Sequence, residues 1–271
     1  MVSFGDCMRI QIPFAVLAVT CCLLLLAMSH GVRAQQRGVA DATQTAAKIA
    51  NTTRDWLGGK LSTPGTTGEL HEVARSRQTG QLGVRYNIVV KGAPNDQLYT
   101  LYSWPINARE PFEQVKGLSI APNGLVVCAG KTPDQCVGDK KDDPVDFVLS
   151  PAKGEVFRMA LASADGETKV FFGAVPDPII ERDKSCSLEI IRLMPKFELI
   201  LMHGKGFRPD EDLLFSSKSY DESHEKQAKA DSDGAYVLAL MPFVKDKQNG
   251  KTTLSLKSEA CAPVVSFEWG K

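Results

Sequence analysis

The chain has 271 residues with 32 Lys+Arg and 32 Asp+Glu, so its formal net charge is zero; 43% of residues are hydrophobic and 24% charged. Those fractions exclude a disordered, collagen-like or coiled-coil chain, and zero net charge argues against a general nucleic-acid binder, which carries a basic excess. The length allows one or two domains, each large enough for its own core.

The N-terminus carries the first strong signal. Residues 12–28 are almost wholly apolar, Arg9 precedes them, and Val32-Arg33-Ala34 follows before Gln35. A cation, an apolar core and small residues at the −3 and −1 positions predict a secretory signal peptide over residues 1–34, cleaved after Ala34. Met8 offers the cleaner start, because Asp6 dilutes the positive end. A retained membrane anchor is the competing reading, but a core of 17 residues is short for a span and the small-residue site favours removal. A lipid anchor fits poorly, since Cys21 and Cys22 lie inside the apolar core with Thr20 before them.

Removal of the signal leaves 30 cations, 31 anions and four cysteines: Cys128, Cys136, Cys186 and Cys261. An even number in an oxidising compartment predicts two disulfides. Three pairings are possible; 128–136 and 186–261 are favoured because each then falls inside one predicted module.

Residues 35–83 are rich in Thr, Gly, Gln and Ala and read as a polar leader, with 62–68 (Ser-Thr-Pro-Gly-Thr-Thr-Gly) as a loop signal. A short helix fits within 41–57, where Ala46, Ala47, Ile49 and Ala50 give a weak apolar side, so the leader is expected to be loosely docked or partly disordered. From Val84 onward the pattern turns to β. Residues 86–90, 97–104, 125–129, 145–149, 155–161 and 169–172 are short strand-like runs separated by turn residues, the spacing of an all-β sandwich.

The second half repeats the order of the first. Residues 90–96 (Val-Lys-Gly-Ala-Pro-Asn-Asp) have a counterpart in 204–210 (Gly-Lys-Gly-Phe-Arg-Pro-Asp), and an aromatic-containing strand follows each. Asn123-Gly124 and Asp233-Gly234 are hairpin signals, because they supply the positive φ values of tight turns. Two tandem modules are expected, 84–181 and 182–271.

Residues 206–211 (Gly-Phe-Arg-Pro-Asp-Glu) and 230–236 (Ala-Asp-Ser-Asp-Gly-Ala-Tyr) give the second module a resemblance to the immunoglobulin-like β-sandwich modules of exported bacterial proteins. The resemblance covers about 65 residues, extends more loosely to the first module, and rests on turn motifs. It implies two tandem immunoglobulin-like β-sandwiches serving as adhesive, spacer or ligand-binding units, and implies no substrate.

Catalytic signatures are absent from the sequence. His71, His203 and His224 survive cleavage, and neither a His-Glu-x-x-His nor a Gly-x-Ser-x-Gly motif occurs. Asp231-Ser232-Asp233-Gly234 resembles the middle of a calcium loop, but Lys229 stands where its first ligand belongs, and a turn explains it better. Asp139-Lys140-Lys141-Asp142-Asp143 reads as a solvated loop rather than a metal site. Ser216 to Ala230 reads as a charged loop or edge strand.

The strand around Tyr99, Tyr102 and Trp104 is the candidate ligand platform. Alternation puts Leu98, Thr100, Tyr102 and Trp104 on one face and Tyr99, Leu101 and Ser103 on the other, so one face presents an aromatic unless the rings simply fill a core. The sequence therefore predicts an extracytoplasmic, non-catalytic binding or scaffolding protein of the cell envelope or extracellular space. No cofactor or metal is called for, and the expected partner is an unidentified protein or glycan, not nucleic acid. The alternatives are a carbohydrate-binding accessory protein using the aromatic strand, and an enzyme with a site assembled in space.

Overall fold

A computed structural model describes residues 45, 47–106, 108, 110–129 and 143–270. The predicted signal peptide, Cys136 and the Asp139–Asp142 part of the charged loop lie outside the described residues. Residues 47–57 form helix α1. The first eight strands are β1 (Thr67–Gln78), β2 (Gln81–Lys91), β3 (Tyr99–Ser103), β4 (Phe112–Ile120), β5 (Val126–Cys128), β6 (Asp146–Leu149), β7 (Phe157–Ser163) and β8 (Lys169–Ala174). The second eight are β9 (Ile179–Asp183), β10 (Cys186–Arg192), β11 (Ile200–Lys205), β12 (Asp212–Ser219), β13 (Glu222–Lys229), β14 (Tyr236–Leu240), β15 (Gly250–Lys257) and β16 (Val264–Trp269).

Among the described residues the strands form four antiparallel sheets: β1-β2-β6, β5-β4-β3-β7-β8, β14-β11-β10-β9 and β13-β12-β15-β16. The first two enclose an apolar core in which Ile88 and Val90 of β2 meet Leu101, Leu161 and Phe172. The last two enclose another, where Leu188, Ile190, Ile200 and Met202 meet Leu213, Leu254 and Val265. Strict alternation along β2 aims every second side chain inward, which makes this strand legible from sequence, whereas β10 is buried along most of its length and carries no such alternation. The sheet order β4-β3-β7-β8 in the first half has a counterpart in β13-β12-β15-β16 in the second.

The two motif glycines show why the repeat is visible. Gly92 has φ 76° and Gly206 has φ 83°, and a Cβ at either would run into backbone, at the Gly65 carbonyl and the Ser185 carbonyl respectively. Both positions combine a left-handed conformation with a close approach that only glycine allows. Gly206→Ala is expected to cost about 1–3 kcal/mol; an unchanged midpoint in urea unfolding would contradict that close approach.

The structure corrects the leader. Residues 67–83, read as part of a polar linker, form β1 and the start of β2, which pair from Thr67↔Lys91 to Gln78↔Gln81. β1 escaped the sequence pattern because it is an edge strand whose side chains are almost all exposed, so backbone pairing rather than apolar burial holds it. β4, also missed, is exposed over its first half for the same reason. The expected boundary at 181/182 cuts β9, which pairs with β10.

The Asp233-Gly234 turn is a second correction. It does not close a hairpin, because β13 pairs with β12 while β14 pairs with β11 in the other sheet. The Asp231 carboxylate accepts the backbone N–H of Asp233 (3.0 Å) and Ala235 (2.8 Å), so it shapes a sheet-to-sheet crossing. Asn123-Gly124 does join a paired hairpin, β4 and β5.

Cys186 and Cys261 are disulfide-bonded, as favoured from sequence, with Cα atoms 6.2 Å apart. Cys128 is disulfide-bonded as well, and its expected partner, Cys136, lies outside the described residues. Of the expected charged loop or edge, residues 222–229 form β13, an edge strand exposed along nearly its whole length, whereas 216–219 belong to β12, which is paired on both sides.

Candidate functional site

The three candidate aromatics do not form one platform. Tyr99 is 1% exposed on the core face of β3, and its hydroxyl donates to the Pro94 carbonyl at 2.7 Å. Burial raises its pKa above the usual tyrosine value. Tyr102 and Trp104 are half-buried on the outer face, as alternation predicts. Trp104 faces another ring of the same chain: the Trp56 indole meets it edge-on, with centroids 5.3 Å apart.

Trp56 comes from α1, and this contact was not anticipated. It is 3% exposed, and its indole N–H donates to the carbonyls of Met159 (2.8 Å) and Phe172 (2.9 Å). Phe171 packs edge-on at 4.6 Å, and the Arg158 guanidinium lies over the indole at 5.2 Å. Arg158 in turn donates to the Trp104 and Pro105 carbonyls, both at 3.0 Å, while burial pushes its pKa down. Gly173 leaves room for the helix: a Cβ there would press against Leu57 of α1 and the Phe157 carbonyl. The aromatic strand is thus engaged by the chain's own helix.

The helix also joins the two halves. Ala50 of α1, Val156 from the first half, and Ile191, Leu193, Leu199 and Leu201 from the second form a third apolar core. Ile49 and Leu57 of α1 pack against it. The signal for this docking is present in the sequence: Ile49, Ala50, Thr53, Trp56 and Leu57 recur at helical spacing. Residues 46–50 alone give a weak apolar side; Thr53, Trp56 and Leu57 extend it into a docking face.

Beside this core, the outer face of the β14-β11-β10-β9 sheet changes character. Cross-strand register places Ile191, Leu201 and Ala239 in one row, Glu189, His203 and Val237 in the next, and Ser187 with Lys205 beyond. Where the face turns polar, a cleft of about 480 Å³ opens between it and the helix. Arg54 and Lys60 line one side; His203, Lys205, Asp231 and Asp233 line the rest. Lys205 stands 3.9 Å from Glu189, Arg54 3.4 Å from its neighbour Asp55, and Lys60 has no carboxylate partner among the described residues.

No protein-family model and no curated protein matches the chain. Among solved structures it is similar to a DUF3823 family protein from Bacteroides ovatus, with 8% identity over 76% of this chain and 99% of that one, at a TM-score of 0.21. A likeness that faint carries no functional argument.

His203 is the most perturbed group of the cleft. Burial, reinforced by Lys205 and Arg54 and opposed by Asp231, lowers its pKa from 6.5 to about 4. The imidazole is therefore neutral at pH 7, able to donate from one nitrogen and accept at the other. The unfolded chain takes up this proton first, so the contribution is complete above pH 6.5 and is lost as pH falls from 6.5 toward 4. Groups that bear on the charge are Arg54, Lys60, Lys205, Glu189, Asp231 and Asp233. His203→Gln is expected to lose less stability than wild type between pH 7 and pH 4 in urea unfolding; parallel pH profiles would contradict the assignment. The other two histidines among the described residues are His71 on β1 and His224 on β13.

Proposed function

We propose that the chain is an exported, non-catalytic binding or scaffolding protein of the cell envelope or extracellular space, built from two tandem immunoglobulin-like β-sandwiches. The recurring order β4-β3-β7-β8 and β13-β12-β15-β16, opposed in each half by a second antiparallel sheet, supports the tandem reading. The buried Cys186–Cys261 bond suits an oxidising compartment. Among the described residues, no helix is long and apolar enough to cross a membrane.

The observation that carries the functional reading is the third core. α1 packs against both halves, so the sandwiches are held as one presenting surface rather than as beads on a linker. A scaffold needs that stiffness, because loosely joined modules lose partner affinity to the entropy of ordering them. The aromatic-strand reading of carbohydrate binding has less support, because Tyr99 is buried in the core and Trp104 already packs against Trp56 of the same chain.

Crosslinking in the native envelope, followed by partner identification, tests the proposal. The wild-type chain is expected to capture one defined protein or glycan, and Trp56→Ala to lose it. Turnover of a substrate by the purified chain, or capture unaffected by Trp56→Ala, would contradict the reading.

A further inference from the structure

The cleft beside α1 has a composition that restricts what can occupy it. Three cations, Arg54, Lys60 and Lys205, converge on it together with two carboxylates, Asp231 and Asp233, and the half-buried His203. Cations alone would suit any anion. The two carboxylates change the requirement, since a compact dianion would be repelled by them unless it also offered hydrogen-bond donors. One oxygen of Asp231 is already committed to its turn, which leaves its other oxygen and the Asp233 carboxylate to accept from such donors. A volume of about 480 Å³ lies in the range of small-molecule sites and accommodates a single sugar-sized ring.

We propose that this cleft binds a small hydroxyl-bearing carboxylate of the sugar-acid type, gripped between α1 and the outer face of β11. The carboxylate faces Arg54, Lys60 and Lys205, where paired N–H donors make charge-assisted bonds. The hydroxyls face Asp233 and His203, which accept from them or donate to them. Two walls come from opposite ends of the sequence, residues 54–60 and residues 203–237, so the cleft is complete only while the helix is docked. A bound ligand therefore stabilises the docked helix by mass action. The inference rests on the clamped arrangement proposed above and adds its ligand class.

Calorimetric titration with galacturonate, galactose and acetate, paired with hydrogen exchange of α1, tests it. Galacturonate is expected to bind, while galactose and acetate, each holding half of the chemistry, bind at least about tenfold more weakly. Arg54→Gln with Lys60→Gln, both solvent-facing and so without consequence for folding, is expected to weaken galacturonate by about tenfold or more. Bound galacturonate is expected to slow amide exchange across 47–57 and to move the His203 titration toward higher pH.

Equal binding of acetate would overturn the ligand class. Failure of galacturonate to bind, or binding indifferent to the double substitution, would overturn the site. Exchange in the unliganded chain separates the two readings: a protected helix with no galacturonate binding overturns this inference alone. An unprotected helix that galacturonate then protects overturns the clamp and keeps the site.

Discussion

Trp56→Ala is expected to lower unfolding free energy by about 3–5 kcal/mol, the usual cost of truncating a buried tryptophan. The loss has three physical parts. A nearly fully buried indole disappears, leaving a cavity on the outer face of β7 and β8. The carbonyls of Met159 and Phe172 lose the indole N–H they share. Arg158, itself buried, loses the ring that lies under its guanidinium, so a desolvated cation is left with less compensation. Trp56→Phe retains most of the burial and drops the hydrogen bonds, so it is expected to cost only about 1–3 kcal/mol. Urea unfolding followed by circular dichroism separates the two; an alanine variant that unfolds at the wild-type midpoint would show that the helix contributes no docking energy.

The second large effect is expected from the Cys186–Cys261 bond. It closes a sequence separation of 75 residues and ties the start of β10 to the segment before β16, so it links the two sheets around the second core. Restricting a loop of that size in the unfolded chain contributes about 4 kcal/mol in the chain-entropy account. Replacing both cysteines with alanine is expected to remove most of that stability with little change in the folded structure, since both sulfurs are buried among apolar side chains. Denaturant unfolding of the double variant checks it, and a midpoint equal to that of the oxidised wild type would refute the claim.

Much of the architecture could be read from residues, and the exceptions share a cause. The alternation of Val84, Tyr86, Ile88 and Val90 and the paired glycines Gly92 and Gly206 are local signals, and the structure follows them. β1 and the first half of β4 bury almost nothing, so no periodicity marks them. Asp233-Gly234 was legible as a turn but not as a crossing, because a turn's φ values say nothing of which sheet the next strand joins.

The site was less legible than the fold. Alternation placed Trp104 on the outer face correctly, yet its partner Trp56 lies 48 positions earlier, and no local pattern connects them. Tyr99 illustrates the reverse: as an aromatic in a strand it was equally a core residue, and the hydroxyl found its acceptor at Pro94 without leaving the interior. His203 gave no hint of its environment, which depends on a helix contributed from residues 47–57.

Amide hydrogen exchange across residues 47–57 in the unliganded, signal-free chain is the most direct test. If α1 clamps the two halves through Trp56 and the third core, the amides of its later turns exchange far more slowly than an unstructured peptide, and Trp56→Ala abolishes that protection. Exchange at the rate of an unstructured peptide in the wild-type chain would contradict the clamp, and with it the rigid presenting surface on which the functional proposal stands.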